Sequence, residues 1–127
     1  MRYLHRDPPG LDPKVGTDCC SDVPYRLRRW QHVAAVKRGP DMEIYLDGKL
    51  VGAKRDDSSL AQHLCIIVGT SGIPRKGAPL DRQCKFIGQL DELAIYDRAL
   101  DREEIKQHID AVKWDAGRRS DVHVKGI

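Results

Sequence analysis

Alternating apolar and polar positions in the middle of the chain predict a β-hairpin. Residues 42–46 place apolar side chains at every second position, and residues 49–54 follow as a returning strand. Between them, Asp47 and Gly48 are the residue types that a two-residue hairpin turn favours, because both central positions need positive φ. Local chemistry alone therefore predicts two antiparallel strands here.

Three other segments have the apolar, β-rich composition of strands. Residues 26–37 place apolar side chains on both parities between Trp30 and Val36, and residues 64–69 form a continuous apolar run; both patterns are typical of strands covered on both faces. Trp30 is expected to be a core residue of the first of them. Residues 85–96 predict one or two further strands, hinged near Gly88.

A single helix is predicted near the end of the chain. Asp101 and Glu104 have the spacing of a capping box, in which each side chain accepts a hydrogen bond from the other residue's backbone N–H. Ile105, Ile109 and Val112 then form an apolar stripe at helical spacing. Because such a stripe needs a surface to cover it, the helix is expected to lie across the sheets.

Two stretches rich in turn-forming residues separate these elements. Residues 5–24 contain four prolines and two glycines, which predicts a long loop. Residues 69–83 form a second loop, longer than most connections. The pattern as a whole predicts an all-β fold of antiparallel strands with one short helix.

Length and charge narrow the class of protein. The chain has 127 residues and a net charge of +3, which fits one domain spanning residues 1–127. Its core is expected within residues 26–112, with residues 113–127 as a flexible tail. Acidic and basic residues are interspersed, so no nucleic-acid partner is predicted. No apolar run approaches the about 18 residues of a membrane span, and the first residues lack the apolar stretch of a secretory signal.

The four cysteines form no metal or redox motif. Cys19 and Cys20 are adjacent, and no pair is separated by two residues. Ordinary thiols are the favoured interpretation, and a disulfide between Cys65 and Cys84 is the alternative.

Three ordered segments resemble the laminin G-like, or concanavalin A-like, jelly-roll family. They are RWQHVAAVK at residues 29–37, YLDGKLV at 45–51 and IGQLDELAIYDRAL at 87–100. The match covers residues 26–112 and resembles the type found in large bacterial extracytoplasmic proteins. It implies an antiparallel two-sheet jelly-roll sandwich and an extracytoplasmic location, whether periplasmic, cell-surface or secreted.

The resemblance also implies that strands are missing. Members of the family usually have several strands ahead of the segment that contains Trp30, whereas turn formers dominate that region here. Either the chain is a fragment of a longer protein, or it is a minimal sandwich whose open sheet edges are expected to lead to self-association.

No enzymatic activity is predicted. The family includes glycoside hydrolases, whose two carboxylates flank the bond that they cleave. The close acidic pair in a predicted strand is Asp91 and Glu92, and adjacent strand residues point to opposite faces.

Calcium is the one cofactor that the resemblance suggests, and none is required. Asp91 occupies the motif position suited to a calcium ion at the sheet rim. The favoured alternative is that Asp91 only hydrogen-bonds the neighbouring loop, because the other ligands in such domains come largely from the strands that this chain lacks.

Candidate ligand-binding residues lie in the loops and on one strand. Arg26 and Arg28 are expected to share an exposed strand face that could bind acidic glycans, although a solvated face is the favoured interpretation. Ser71, Arg75 and Lys76 are the candidates in the second loop.

The predicted function is non-catalytic recognition or adhesion, with a carbohydrate or a protein as ligand, within a larger bacterial extracytoplasmic protein. The alternatives are a structural or assembly domain without a small-molecule ligand, and an accessory domain or remnant of a glycoside hydrolase.

Overall fold

The structure, a computed structural model, describes residues 1–6, 15–59 and 86–111. These residues form two antiparallel sheets and one helix. In chain order the elements are β1 (Arg2–His5), β2 (Thr17–Cys20), β3 (Val33–Arg38), β4 (Asp41–Leu46), β5 (Lys49–Arg55) and α1 (Arg102–Ala111). The predicted mostly-β fold with one short helix is confirmed.

Strand β4 lies at the centre of the larger sheet and has a core on each face. It pairs with β3 on one side and β5 on the other, both antiparallel. Met42 and Ile44 pack with Cys19 of β2, whereas Tyr45 packs with Ile105 of α1. The alternation predicted for residues 42–46 therefore serves two separate apolar clusters.

The predicted turn at Asp47 and Gly48 is confirmed. Their φ angles are 50° and 75°, the positive values that this turn requires. The Asp47 carboxylate also accepts a hydrogen bond of 2.9 Å from the backbone N–H of His32, and the Asp47 N–H donates to the His32 carbonyl at 2.8 Å. The turn thus fixes the segment that leads into β3.

The smaller sheet corrects the expectation of a loop over residues 5–24. Strand β2 lies in that region and pairs with β1, with Tyr3 opposite Cys19, whereas residues 7–14 lie outside the described residues. Cys19 is only 1% exposed, so burial of its side chain and backbone pairing outweigh the local turn formers. Cys20 is exposed, and both thiols are free.

A close backbone approach joins the two sheets. The Asp22 N–H donates to the Val51 carbonyl of β5 at 2.6 Å. At Gly52, a Cβ atom would lie 2.4 Å from the carbonyl oxygen of Cys20. Only glycine leaves room for this contact.

The capping box and the docking of α1 are confirmed. The Glu104 N–H donates to Asp101 Oδ1 at 2.8 Å, and the Asp101 N–H donates to Glu104 Oε2 at 2.9 Å. Ile105 is fully buried in a cluster with Val36, Tyr45 and Leu100. The helix covers the face of the larger sheet opposite to β1 and β2.

The strand predicted over residues 26–37 begins only at Val33. Arg28 has a φ of 59°, which breaks the extended chain, and the Gln31 side chain accepts a hydrogen bond from the Arg26 N–H. A side chain that bonds the backbone locally competes with strand pairing. Trp30 is 46% exposed, so its prediction as a core residue is wrong.

The strands predicted over residues 85–96 are also absent from the described part, residues 86–96. Glu92 has a φ of 53°, which interrupts an extended segment. The large apolar side chains of this segment are exposed: Phe86, Ile87, Leu90, Leu93, Ile95 and Tyr96. The pattern of apolar residues predicted strands here, and the prediction is wrong because that pattern carries no information about the backbone conformation at Glu92.

Several predictions lie outside the described residues. These are the strand at 64–69, the loop at 69–83, the disulfide between Cys65 and Cys84, and the tail at 113–127.

Candidate functional site

A buried carboxylate lies where β1, the end of β5 and the turn between β3 and β4 meet. Asp56, the residue after β5, is 8% exposed. Its carboxylate accepts hydrogen bonds from the Ser58 N–H at 2.9 Å, from the Ser58 hydroxyl, and from His5 Nδ1 at 2.6 Å. The side chains of His5 and Asp56 are 11% and 7% exposed, so this contact is sheltered from water.

The backbone of Asp56 ties two further segments to the same place. Lys37 of β3 donates its ammonium to the Asp56 carbonyl at 2.7 Å, and the Asp56 N–H donates to the Pro40 carbonyl at 2.7 Å. Four separate pieces of chain are therefore held around one residue.

Asp56 is ionised at neutral pH. The Ser58 hydroxyl, the Ser58 N–H and His5 donate to its carboxylate, and together they hold the pKa of Asp56 well below its ordinary value. Because donors already occupy both carboxylate oxygens, Asp56 is an anchor and not an open ligand for a cation.

These three residues are the types of a hydrolase triad, but their arrangement differs from one. In a triad, the acid and the serine contact opposite ring nitrogens of the histidine. Here both the Asp56 carboxylate and the Ser58 hydroxyl, at 3.1 Å, contact the same atom, His5 Nδ1. The geometry orients the Ser58 hydroxyl and does not activate it as a nucleophile.

A cavity of about 450 Å³ opens beside this network, and we call it the rim cavity. It is lined by Lys37, Gly39, Pro40, Asp57, Ser58 and Ser59. Asp57 also pairs with Arg55, at 2.8 Å between Nη2 and Oδ1. Among the described residues, the lining of the rim cavity therefore supplies two serine hydroxyls, one ammonium and one carboxylate.

A second polar cluster lies at the other end of β4. The His32 ring is half-buried, and its Nδ1 has no hydrogen-bond partner within the described segments. Burial, and then the nearby His108, lower the pKa of His32. The Tyr96 hydroxyl lies 3.3 Å from His108 Nε2.

Of the predicted ligand-binding residues, the structure describes Arg26 and Arg28. Arg26 and Arg28 are exposed in an irregular segment, so the prediction that they share a strand face is wrong. Ser71, Arg75 and Lys76 lie outside the described residues.

Asp91 makes the hydrogen bond that the favoured alternative expects. Its Oδ1 accepts from the Glu92 N–H at 2.9 Å. Residues 1–6, 15–59 and 86–111 contain no group of three or more acidic, histidine or cysteine side chains placed to hold a metal ion. Calcium at Asp91 stays a prediction.

The strand argument against catalysis does not apply to Asp91 and Glu92, because neither residue lies in a strand. The prediction that the chain is not an enzyme therefore needs a direct assay.

Comparison with known proteins identifies the family. The family Laminin_G_3, described as the concanavalin A-like lectin/glucanases superfamily, matches residues 10–106. The chain belongs to this family. The family covers lectins and glucanases alike, so membership is compatible with sugar binding and with hydrolysis. No curated protein matches the sequence.

A solved structure similar to this laminin G-like chain is the crystal structure of an S-layer domain-containing protein from Clostridium thermocellum ATCC 27405. The two sequences are 25% identical over 75% of this chain, with a TM-score of 0.57. The chain spans 46% of that solved protein's length. In the described part of the laminin G-like chain, no helix is long and apolar enough to cross a bilayer.

Sequence patterns missed His5, Asp56 and Ser58 as a group. Asp56 and Ser58 carry one local signal, since an aspartate followed two residues later by an N–H donor is a common turn motif. His5 is 51 positions away from Asp56, and no local pattern links them.

Proposed function

We propose that this laminin G-like chain is a non-catalytic recognition module of an extracytoplasmic protein, and that its ligand is a carbohydrate. The observation that carries the proposal is the likeness to an S-layer domain-containing protein over 75% of the chain. Surface-layer proteins work outside the cell membrane, which supports the location.

The family name supports the carbohydrate. Lectins and glucanases share this fold, and both classes of protein bind sugars. Glycoside hydrolases cleave with two carboxylates that flank the bond. Here Asp56 is already hydrogen-bonded by His5 and Ser58, and Asp57 pairs with Arg55, which supports binding over cleavage.

A glycan array tests this proposal. The chain is applied in calcium and, separately, in a chelator, and bound glycans are then incubated in solution with the chain. We expect specific binding with no release of reducing ends. If the chain bound no glycan, the proposal that its ligand is a carbohydrate would be wrong. Release of reducing ends would contradict the non-catalytic role.

The chelator arm tests the calcium prediction separately. If Asp91 helps to hold a calcium ion that bridges to the ligand, binding falls in the chelator and an Asp91→Ala variant behaves alike in both buffers. Equal binding by the unaltered chain in both buffers would contradict the prediction that calcium takes part in ligand binding.

Self-association is a second candidate function, and the exposed apolar segment at residues 86–96 favours it. Side chains such as Ile87, at 96% exposed, and Leu93, at 67%, are typical of surfaces that other chains cover. Sedimentation at rising concentration should then show a second copy bound, and an Ile87→Asp, Leu93→Asp variant should remain a monomer. A monomer at all concentrations would rule this candidate out.

A further inference from the structure

The rim cavity is built from segments that hydrogen bonds hold in place. Lys37 comes from β3, Pro40 from the turn before β4, and Asp57, Ser58 and Ser59 from the chain after β5. The backbone of Asp56 joins all three segments through its bonds to Lys37 and Pro40. A ligand would therefore meet a site that is already formed, and little ordering cost would oppose binding.

The Ser58 hydroxyl is oriented for accepting. It donates its proton to Asp56 Oδ1, and His5 Nδ1 lies 3.1 Å from the same hydroxyl oxygen and occupies at most one of its lone pairs. A hydroxyl has one proton and two lone pairs, so a lone pair is left for a donor on a ligand. A ligand hydroxyl is such a donor.

The charges in the rim cavity favour a neutral polar ligand. Two cations, Lys37 and Arg55, face two carboxylates, Asp56 and Asp57, among the described residues at the cavity, and Arg55 pairs with Asp57. A phosphate or sulfate would need an excess of positive charge, and a metal ion would need carboxylate oxygens without donors. A group that both donates and accepts can bond to the ammonium, the carboxylate and the hydroxyls together.

Size and shape agree with one sugar ring. The volume of about 450 Å³ lies within the range of small-molecule sites, about 300–1,000 Å³. Pro40 supplies an apolar surface, and the space beside Gly39 is open, since a Cβ atom there would meet no atom within 4 Å. The C–H face of a pyranose can pack on the proline while its hydroxyls reach the polar residues.

We propose that the rim cavity binds one ring of a neutral saccharide, with Ser58 accepting from a ring hydroxyl and Lys37 and Asp57 bonding to its neighbours. This assignment rests on the carbohydrate recognition proposed above. It adds the place of binding and the class of sugar, uncharged and not acidic.

A variant that fills the cavity tests the assignment. Ser59 is exposed and lies outside the network around Asp56, so Ser59→Trp should block the rim cavity without disturbing the anchor. The matched control is Lys49→Trp, an exposed position at the opposite end of β5. Far-UV circular dichroism and melting confirm that both variants fold.

Affinities for the neutral glycans bound on the array are measured by calorimetry. We expect Ser59→Trp to weaken binding at least about tenfold and Lys49→Trp to change it less than about twofold. Ser58→Ala, which removes one acceptor, should weaken it about five- to tenfold. Acidic glycans should bind more weakly than their neutral counterparts.

A measurement on the unaltered chain does not depend on any variant. Titration with methyl glycosides of glucose, galactose, mannose and N-acetylglucosamine should shift the amide NMR signals of Ser58 and Ser59 for at least one sugar. Signals near Lys49 should stay unchanged.

The outcomes separate the two proposals. If the unaltered chain binds glycans while Ser59→Trp binds as well as Lys49→Trp, or if the amide shifts avoid residues 57–59, the cavity assignment is wrong and recognition stands. If the unaltered chain binds no glycan, both proposals are wrong.

Discussion

The contact between α1 and the larger sheet predicts a large and specific loss of stability for Ile105→Ala. Ile105 is 0% exposed and packs with Val36, Tyr45 and Leu100. The substitution removes three carbon atoms, which is worth about 2.4 kcal/mol of transfer free energy at about 0.8 kcal/mol per methylene. The cavity that remains adds about 1 kcal/mol, so we expect the free energy of unfolding to fall by about 3–4 kcal/mol.

Ile109→Ala is the matched control within the same helix. Ile109 is only half-buried at the edge of the same cluster, near Gly48. The same atoms are removed and the helix propensity changes by the same amount, so the difference between the variants reports burial. We expect the control to cost about 1 kcal/mol.

Urea unfolding followed by circular dichroism measures both values. A ten-residue helix is marginal in water by itself, so α1 depends on this packing. A cost below about 1 kcal/mol for Ile105→Ala, equal to that of Ile109→Ala, would refute the docking of α1 on β4.

Three further predictions test the cap, the histidine at the turn and the contact between sheets. Asp101→Ala removes the N-cap of α1 and should lower the free energy of unfolding by about 1 kcal/mol in urea, whereas Asp101→Ser should keep most of it. Burial and His108 lower the pKa of His32, so the folded state binds fewer protons than the unfolded state. The free energy of unfolding should therefore fall as the pH drops below about 6.5. In the His32→Gln variant, the urea concentration at the unfolding midpoint should depend less on pH over that range. An unchanged slope in the variant would assign the pH dependence to other groups. Gly52→Ala places a Cβ against the Cys20 carbonyl and should cost about 1–3 kcal/mol, and a neutral result in thermal melting would contradict the close approach.

Local chemistry predicted the elements whose interactions are local. The turn at Asp47 and Gly48 and the cap at Asp101 and Glu104 each use residues within three positions, so their sequence signals were sufficient. The pairing of β1 with β2 depends on Cys19 reaching a core that Met42 and Ile44 complete. The turn-forming residues in the same segment predicted a loop, so this pairing was not predicted from the sequence.

The candidate site followed the same rule. Asp56 and Ser58 are neighbours in sequence, but His5 reaches them only because β1 and β2 fold over the larger sheet. For Arg26 and Arg28, the local sequence pattern gave a wrong prediction. Their alternation suggested a strand, and the bond between the Arg26 N–H and the Gln31 side chain together with the positive φ of Arg28 prevents one.

We expect this laminin G-like chain to bind a carbohydrate and to leave it intact. Calorimetric titration of the purified chain with the strongest glycan from the array, followed by analysis of the recovered glycan, tests it most directly. Saturable binding and recovery of the glycan at its original length are the expected results. Shortened products, or no heat of binding at any concentration, would contradict it.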